Sequence, residues 1–243
     1  MHKKLISVII PAYNEEKTIV ATIKETIKAI NNIKGLNYEL IIVDDGSIDN
    51  TYAVVKQLTY QLAYNIKVES YFPNKGKGFA LKKGVLVARG DYILFLDADL
   101  EIHPNHLLIF LNLLKQSKAD AVIGSKTAKG SVVKAPLKRK IISIGYYSLL
   151  KLLFRLPVTD TQTGFKLFKR QALKNCVQKT SIKGYSFDLE LLVIMNIHKY
   201  KIMESPIKVD QLRLRRINLI DSLPMLKDTL AVFKRYYFTR SYT

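Results

Sequence analysis

The chain has 243 residues, 48% hydrophobic and 24% charged: enough apolar content to bury a full core, and too ordinary a charge share for a disordered chain. The one cysteine, Cys176, excludes an internal disulfide framework, suits a reducing compartment and is expected as a small buried apolar residue. Of the 39 Lys+Arg and 20 Asp+Glu, residues 1–125 hold 15 and 13; residues 126–243 therefore carry 24 against 7, and nearly all of the net +19 sits in the second half. Such a surface attracts polyanions, whether phosphates, an anionic membrane or nucleic acid.

The first half alternates short apolar runs with helical patterns, as in a doubly wound, mainly parallel sheet. Leu5–Ile10 reads as a strand buried on both faces. Ile19, Ile23, Ile27 and Ile30 then recur at helical spacing to about Asn32, with Asn14 placed to cap the start. Glu39–Val43 is the second strand, followed by a helix over roughly 50–64, a strand at Ile66–Tyr71 and a helix at 77–89 after a glycine-rich turn. Tyr92–Leu96 is the fourth strand. Pro104–Gln116 is a helix with proline in its first turn and His103 as its cap, and Ala121–Gly124 is the fifth strand. Beyond Ser125 the spacing predicts a loop at 126–136, an apolar helix with a basic stripe at 137–156, a strand at 160–168, a helix at 186–198, a strand at 201–209 and a terminal helix at 218–238. One domain is expected over 1–243, with a nucleotide-binding half to about 125 and an acceptor half beyond. The basic N-terminus lacks the form of a signal peptide, and no apolar run reaches the ~18 residues of a membrane span. The protein is therefore expected to be soluble or peripheral.

Three polar clusters follow strand ends, where open α/β sheets bind ligands: Pro11-Ala12-Tyr13-Asn14-Glu15-Glu16, Val43-Asp44-Asp45-Gly46-Ser47 and Asp97-Ala98-Asp99. Two carboxylates spaced by one small residue on an extended segment point the same way and offer hard oxygens for Mg²⁺ or Mn²⁺, which in turn grips a diphosphate. Glu101 is either a further ligand or a solvated residue. Asn74-Lys75-Gly76-Lys77-Gly78 precedes a helix, so its glycines permit close backbone approach at an anion-favouring N-terminus.

These clusters resemble glycosyltransferase family two, whose fold is GT-A. The resemblance implies that Pro11, Tyr13 and Glu15 line the nucleotide site, that Asp44 reads the base with Ser47 nearby, and that Asp97 and Asp99 are the metal-binding Asp-x-Asp. Gly76, Lys77 and Gly78 then border the nucleotide. In the second half, Asp160-Thr161-Gln162-Thr163-Gly164-Phe165-Lys166-Leu167-Phe168 and Gly184-Tyr185-Ser186-Phe187-Asp188-Leu189-Glu190-Leu191 are similar to the dolichyl-phosphate β-glucosyltransferases. Lys126 stands where that family commonly has arginine, and a lysine cannot grip phosphate in a bidentate fork. An N-terminal anchor like that of the eukaryotic members is not expected here.

The implied reaction is inverting transfer of a hexose, glucose from UDP-glucose, to a dolichyl or polyprenyl phosphate, with Mg²⁺ or Mn²⁺ at the leaving diphosphate. Asp160, with Asp99, is the candidate catalytic carboxylate, and Asp188 and Glu190 compete with it. Lys126, Arg139, Lys140 and Gln162 are the candidates for the acceptor phosphate. On the wheel of helix 137–156, Ile142, Leu149, Leu152, Leu153 and Leu156 form an apolar arc opposite Lys140, Lys151 and Arg155, which suits an amphipathic helix in the interface. A peripheral place at the cytoplasmic face of an anionic membrane follows. Arg213, Arg215, Arg216 and Lys208 are either a phosphate site or a solvated face. Other readings are a GDP-mannose enzyme, one acting on polysaccharide or protein, and a non-catalytic nucleotide-sugar-binding scaffold. No nucleic-acid-binding motif accompanies the charge, so nucleic acid is not an expected partner.

Overall fold

The computed structural model describes residues 3–61, 65–133, 137–209, 222–239 and 241–242, without the side chains of 137–144 and 222–223. In chain order the elements are β1 (Lys4–Ala12), α1 (Ile19–Asn31), β2 (Leu36–Asp44), α2 (Thr51–Gln61), β3 (Ile66–Ser70), α3 (Lys77–Val87), β4 (Tyr92–Phe95), α4 (Leu107–Gln116, after a 3₁₀ turn at Pro104–His106), β5 (Ala121–Ser125), α5 (Leu137–Phe154), β6 (Lys166–Lys169), α6 (Arg170–Val177), α7 (Phe187–Ile197), β7 (Ile202–Pro206) and α8 (Ser222–Lys234), which continues as a π-helical turn at Arg235–Thr239. They form a seven-stranded sheet in the order β3-β2-β1-β4-β6-β5-β7. Strands β1 to β4 are mutually parallel, β6 runs antiparallel to β4 and β5, and β5 pairs parallel with β7. Both faces are covered. Val8 and Ile10 pack with Ile19, Ile23 and Phe110 in one layer, whereas Ile9 between them packs with α3 and the wholly buried apolar face of α7 in the other. That alternation explains why β1 reads as continuously hydrophobic. Cys176 is buried, and burial pushes its thiol up to about 12.

Three sequence expectations change. Asn14 does not cap α1: it sits at φ 56 and its Oδ1 accepts from Ile48 N at 3.0 Å, so the side chain ties two loops together and the helix begins only after Thr18. The strand expected at 160–168 shrinks to Lys166–Lys169, because Thr159 N and Asp160 N donate to the Glu204 carboxylate and not to a ladder. Helix α6 was not anticipated, although Ala172, Leu173, Cys176 and Val177 face the core at helical spacing. His103 does cap as expected, its Nδ1 accepting from Asn105 N at 3.2 Å.

At the end of the sheet away from the strand C-termini, buried Glu39 accepts from Ser7 Oγ (2.6 Å), Arg89 N (2.6 Å) and Lys67 Nζ (3.1 Å). Burial alone would raise its carboxyl, but these bonds outweigh that and hold it below the ordinary 4.5. Its stabilisation is therefore present above pH 4.5 and fades as pH falls through the lower folded-state value. Glu39→Gln should lose about 1–3 kcal/mol at neutral pH, since Arg89 N and Ser7 Oγ share a weaker acceptor. Urea unfolding at several pH values checks this; a gap between the two proteins that widens below pH 4 contradicts it.

Candidate active site

The expected clusters meet at the C-terminal ends of β1, β2 and β4. Ala12 and Asp44 are paired in the β1–β2 register, as are Pro11 and Val43. Their loops are stitched together: Asn14 N donates to Ser47 Oγ (3.0 Å) and Glu15 N to Thr51 Oγ1 (2.8 Å). Tyr13 stands exposed at the rim, and the Glu15 carboxylate accepts from Thr18 Oγ1 at 2.8 Å. Buried Asp44 accepts from Ser47 N and Ser70 Oγ, which leaves lone pairs for a further N–H.

Asp45, part of the second cluster but given no role of its own there, organises the next loop. Its carboxylate accepts from Lys75 N (2.8 Å), Gly76 N (2.9 Å) and Asn74 Nδ2 (3.1 Å), and so sets the start of α3. The glycines of this loop have a packing reason. Gly76 has φ 96, and a Cβ on it would lie 2.6 Å from Lys183 O; one on Gly78 would lie 2.4 Å from Phe187 Cβ. The loop is thereby pressed onto the segment before α7, and Lys77 is aimed at β4.

Lys77 Nζ meets Asp97 Oδ1 at 2.5 Å. On the other side Gly164 is so close that a Cβ would lie 1.8 Å from Asp97 Oδ2, so the Thr163-Gly164 backbone walls this carboxylate. Burial alone would lift the Asp97 carboxyl, but Lys77 outweighs it and holds the group below the usual range. Asp99 goes the other way: burial, then the charge of Asp97, push it up to about 6, against a hydrogen bond from Glu101 N at 2.9 Å. Two half-buried carboxylates that repel one another, beside a wall that only glycine permits, fit a divalent cation with hard oxygen ligands. Among the described residues no third His, Cys, Asp or Glu joins them, so remaining ligands would come from donor or water.

Across a small polar pocket lined by Asp97, Glu101, Lys126, Gln162 and Gly164 lie the acceptor-side candidates. Glu101 pairs with Lys126 Nζ at 2.8 Å. Asp160 is 0% exposed: one oxygen accepts from Lys126 N (3.0 Å), the other from Tyr147 Oη (3.1 Å) and Gln162 N (3.1 Å). It thus joins β5, α5 and its own loop. The competing carboxylates are both buried in ion pairs. Asp188 pairs with fully buried Lys166 at 2.7 Å, and Lys166 also donates to Thr163 O. Glu190 accepts from Ser181 N, Ile182 N and Tyr242 Oη and pairs with Arg235. The side chains of Arg139, Lys140 and Ile142, and all of Arg213, Arg215 and Arg216, lie outside the described residues.

Helix α5 turns Leu150 and Phe154 into the core and leaves Leu149 (39%) and Leu152 (78%) exposed. It ends at Phe154 because Arg155 enters the left-handed region (φ 49), which returns Leu156 to the core, off the expected arc. Leu153 packs half-buried on the core. Helix α8 lies alongside: Tyr146 Oη and Thr229 Oγ1 are 2.9 Å apart, Phe233 packs on Phe154, and Leu226 and Leu230 are exposed. Among the described residues no helix is long and apolar enough to cross a membrane.

Similar folds include solved structures of glucosyl-3-phosphoglycerate synthase from Mycobacterium tuberculosis. One, with UDP, superposes with a TM-score of 0.70 at 23% identity, covering 95% of this chain and 79% of that one. Another, with Mn²⁺, UDP-glucose and phosphoglyceric acid, gives 0.69 at 24%, with the same coverage. The architecture is a GT-A glycosyltransferase fold. Residues 7–177 match Glycosyl transferase family 2, and the chain belongs to that family. Among its relatives are a dolichyl-phosphate beta-glucosyltransferase of Trichomonas vaginalis, 34% identical over 95% of this chain and 74% of that protein, and that of Saccharomyces cerevisiae, 30% identical over 95% and 75%.

Proposed function

We propose that this glycosyltransferase moves glucose from UDP-glucose to a dolichyl or polyprenyl phosphate at the cytoplasmic face of a membrane, with inversion at the anomeric carbon. The observation that carries it is the Tyr147–Asp160 hydrogen bond, which ties the middle of α5, next to exposed Leu149, to the loop facing Asp97. A lipid held along α5 then has its phosphate beside Lys126 and Gln162. The names of the relatives support the same donor and acceptor.

In this reading Pro11, Tyr13, Glu15, Asp44 and Ser47 hold the nucleoside, and Gly76, Lys77 and Gly78 border the diphosphate at the N-terminus of α3, where anions are favoured. Asp97 and Asp99 would hold Mg²⁺ or Mn²⁺, which supplies positive charge to the leaving diphosphate. An acceptor phosphate is largely ionised near neutral pH, its second pKa being about 6, and attacks without a strong base. Asp160 is a positioning residue: buried and engaged, it holds Lys126, Gln162 and Tyr147 for the acceptor.

Purified protein in anionic vesicles should transfer label from UDP-glucose, and not from GDP-mannose, to polyprenyl phosphate in Mn²⁺ or Mg²⁺. Transfer only to a water-soluble acceptor contradicts the reading. Asp160→Asn puts an NH₂ either against Lys126 N–H or against Gln162 N–H and the Tyr147 hydroxyl, so turnover should fall by about 100-fold through misplacement while UDP affinity holds. A comparable loss of UDP affinity would assign Asp160 to the donor side.

A further inference from the structure

Asp97 is hemmed in at both carboxylate oxygens, although its side chain still reaches the pocket. Its Oδ2 lies against the Gly164 backbone, and its Oδ1 is met by the Lys77 ammonium, whose side chain is only 17% exposed. Lys77 is the first residue of α3, and its main chain is anchored. Asp45 holds Lys75 N and Gly76 N, and Phe79 N donates to Lys183 O at 3.1 Å. The four-carbon stem beyond that anchor is flexible, so the ammonium can swing while the backbone stays. Besides Asp97, the carboxylates in electrostatic range of this ammonium are Asp188 and Asp99. Asp188 itself is already matched by Lys166 at 2.7 Å. Asp99 is taken up by the cation once that binds, so the anion left for Lys77 when it leaves Asp97 is one brought by a ligand at the N-terminus of α3.

We propose that Lys77 is a loading switch: its ammonium occupies the cation's place at Asp97 in the empty enzyme and is drawn off by the donor diphosphate, so that metal and nucleotide enter together. This rests on the nucleotide-sugar reading of the site. The consequence is a reciprocal coupling between two ligands on one side chain. A cation arriving alone must displace a paired ammonium and then lie close to it. A diphosphate arriving with the cation gives that ammonium a new partner and leaves Asp97 to the cation.

The test measures Mn²⁺ binding by electron paramagnetic resonance of the free ion, with and without UDP, and needs no turnover. In the wild type, Mn²⁺ should bind weakly alone and much more tightly with UDP. In Lys77→Met, Mn²⁺ alone should bind at least about tenfold more tightly, the scale of removing one nearby like charge from a half-buried site, while the gain from UDP shrinks. Unchanged or weaker Mn²⁺ binding in Lys77→Met, with wild-type coupling intact, overturns the switch alone. No Mn²⁺ binding even with UDP in the wild type overturns the donor reading as well.

If Lys77→Met does not fold, Asp97→Asn carries the test in EDTA. Freed from its partner, Lys77 should then bind UDP more tightly than the wild type does. That gain should vanish in Lys77→Gln/Asp97→Asn, because it passes through the ammonium. A gain that survives in the double variant is relief of repulsion by Asp97, and the switch is wrong.

Discussion

Gly164→Ala should cost glycosyl transfer at least about 100-fold, the order of loss that follows a misplacement near 1 Å. A methyl at this position would lie 1.8 Å from Asp97 Oδ2 and 2.2 Å from its Cγ, so either the carboxylate or the 163–164 backbone must shift. Both shifts matter. The carboxylate would move away from Lys77 and from alignment with Asp99; the backbone would strain the Lys166–Thr163 contact and the loop that carries Asp160 and Gln162. Metal-dependent UDP binding should therefore weaken together with turnover, while the far-ultraviolet circular dichroism stays native. Asp99→Ala is the companion: it leaves one carboxylate for the cation and should abolish metal-dependent donor binding. Activity within a few-fold of wild type in Gly164→Ala would mean that Asp97 does not work in the position this fold gives it.

On the proposed membrane-bound reading, Leu149→Asp with Leu152→Asp should largely abolish binding to anionic vesicles without touching the nucleotide-sugar site. Both side chains are exposed on α5, whereas Leu153 packs on the core and its carbonyl accepts from Tyr237 Oη at 2.7 Å, so a charge there would disturb the fold instead. Burying a leucine contributes roughly 1.5–3 kcal/mol, so two lost leucines should weaken binding to anionic vesicles well over tenfold. Basic residues near the surface add about 1 kcal/mol each from anionic lipid, and salt should weaken that part. Transfer to polyprenyl phosphate in vesicles should fall, and UDP affinity should not. Normal vesicle binding and lipid transfer by the double variant would remove α5 from the membrane and send the search for the acceptor elsewhere.

The first half of the fold was legible because its signals are local. A strand buried on both faces writes a continuous apolar run, as in Leu5–Ile10, and ligand-bearing loops must follow strand ends, so the Asp44 and Asp97 clusters could be found by position and residue type alone. Apolar spacing likewise set α1, α4 and α7 nearly to their ends, and proline with His103 marked the turn before α4. What needed the tertiary structure is everything that depends on which segments meet. Asp44 and Asp45 look equivalent in sequence, yet Asp45 is the one that pins Lys75 and Gly76, because only the folded chain brings residues 74–76 beneath it. Gly76 and Gly78 suggest ligand approach by composition, but their bareness is required by Lys183 and Phe187, more than a hundred residues away. Asp160 has a catalytic look in its motif, and only burial, with Lys126 N, Gln162 N and Tyr147 Oη on its oxygens, makes it an organiser. The partners of Asp188 and Glu190 were hidden for the same reason. A carboxylate's role is set by what surrounds it in space, and a pairing such as Lys166–Asp188 or Lys77–Asp97 joins residues about twenty positions apart with no periodic pattern to announce it.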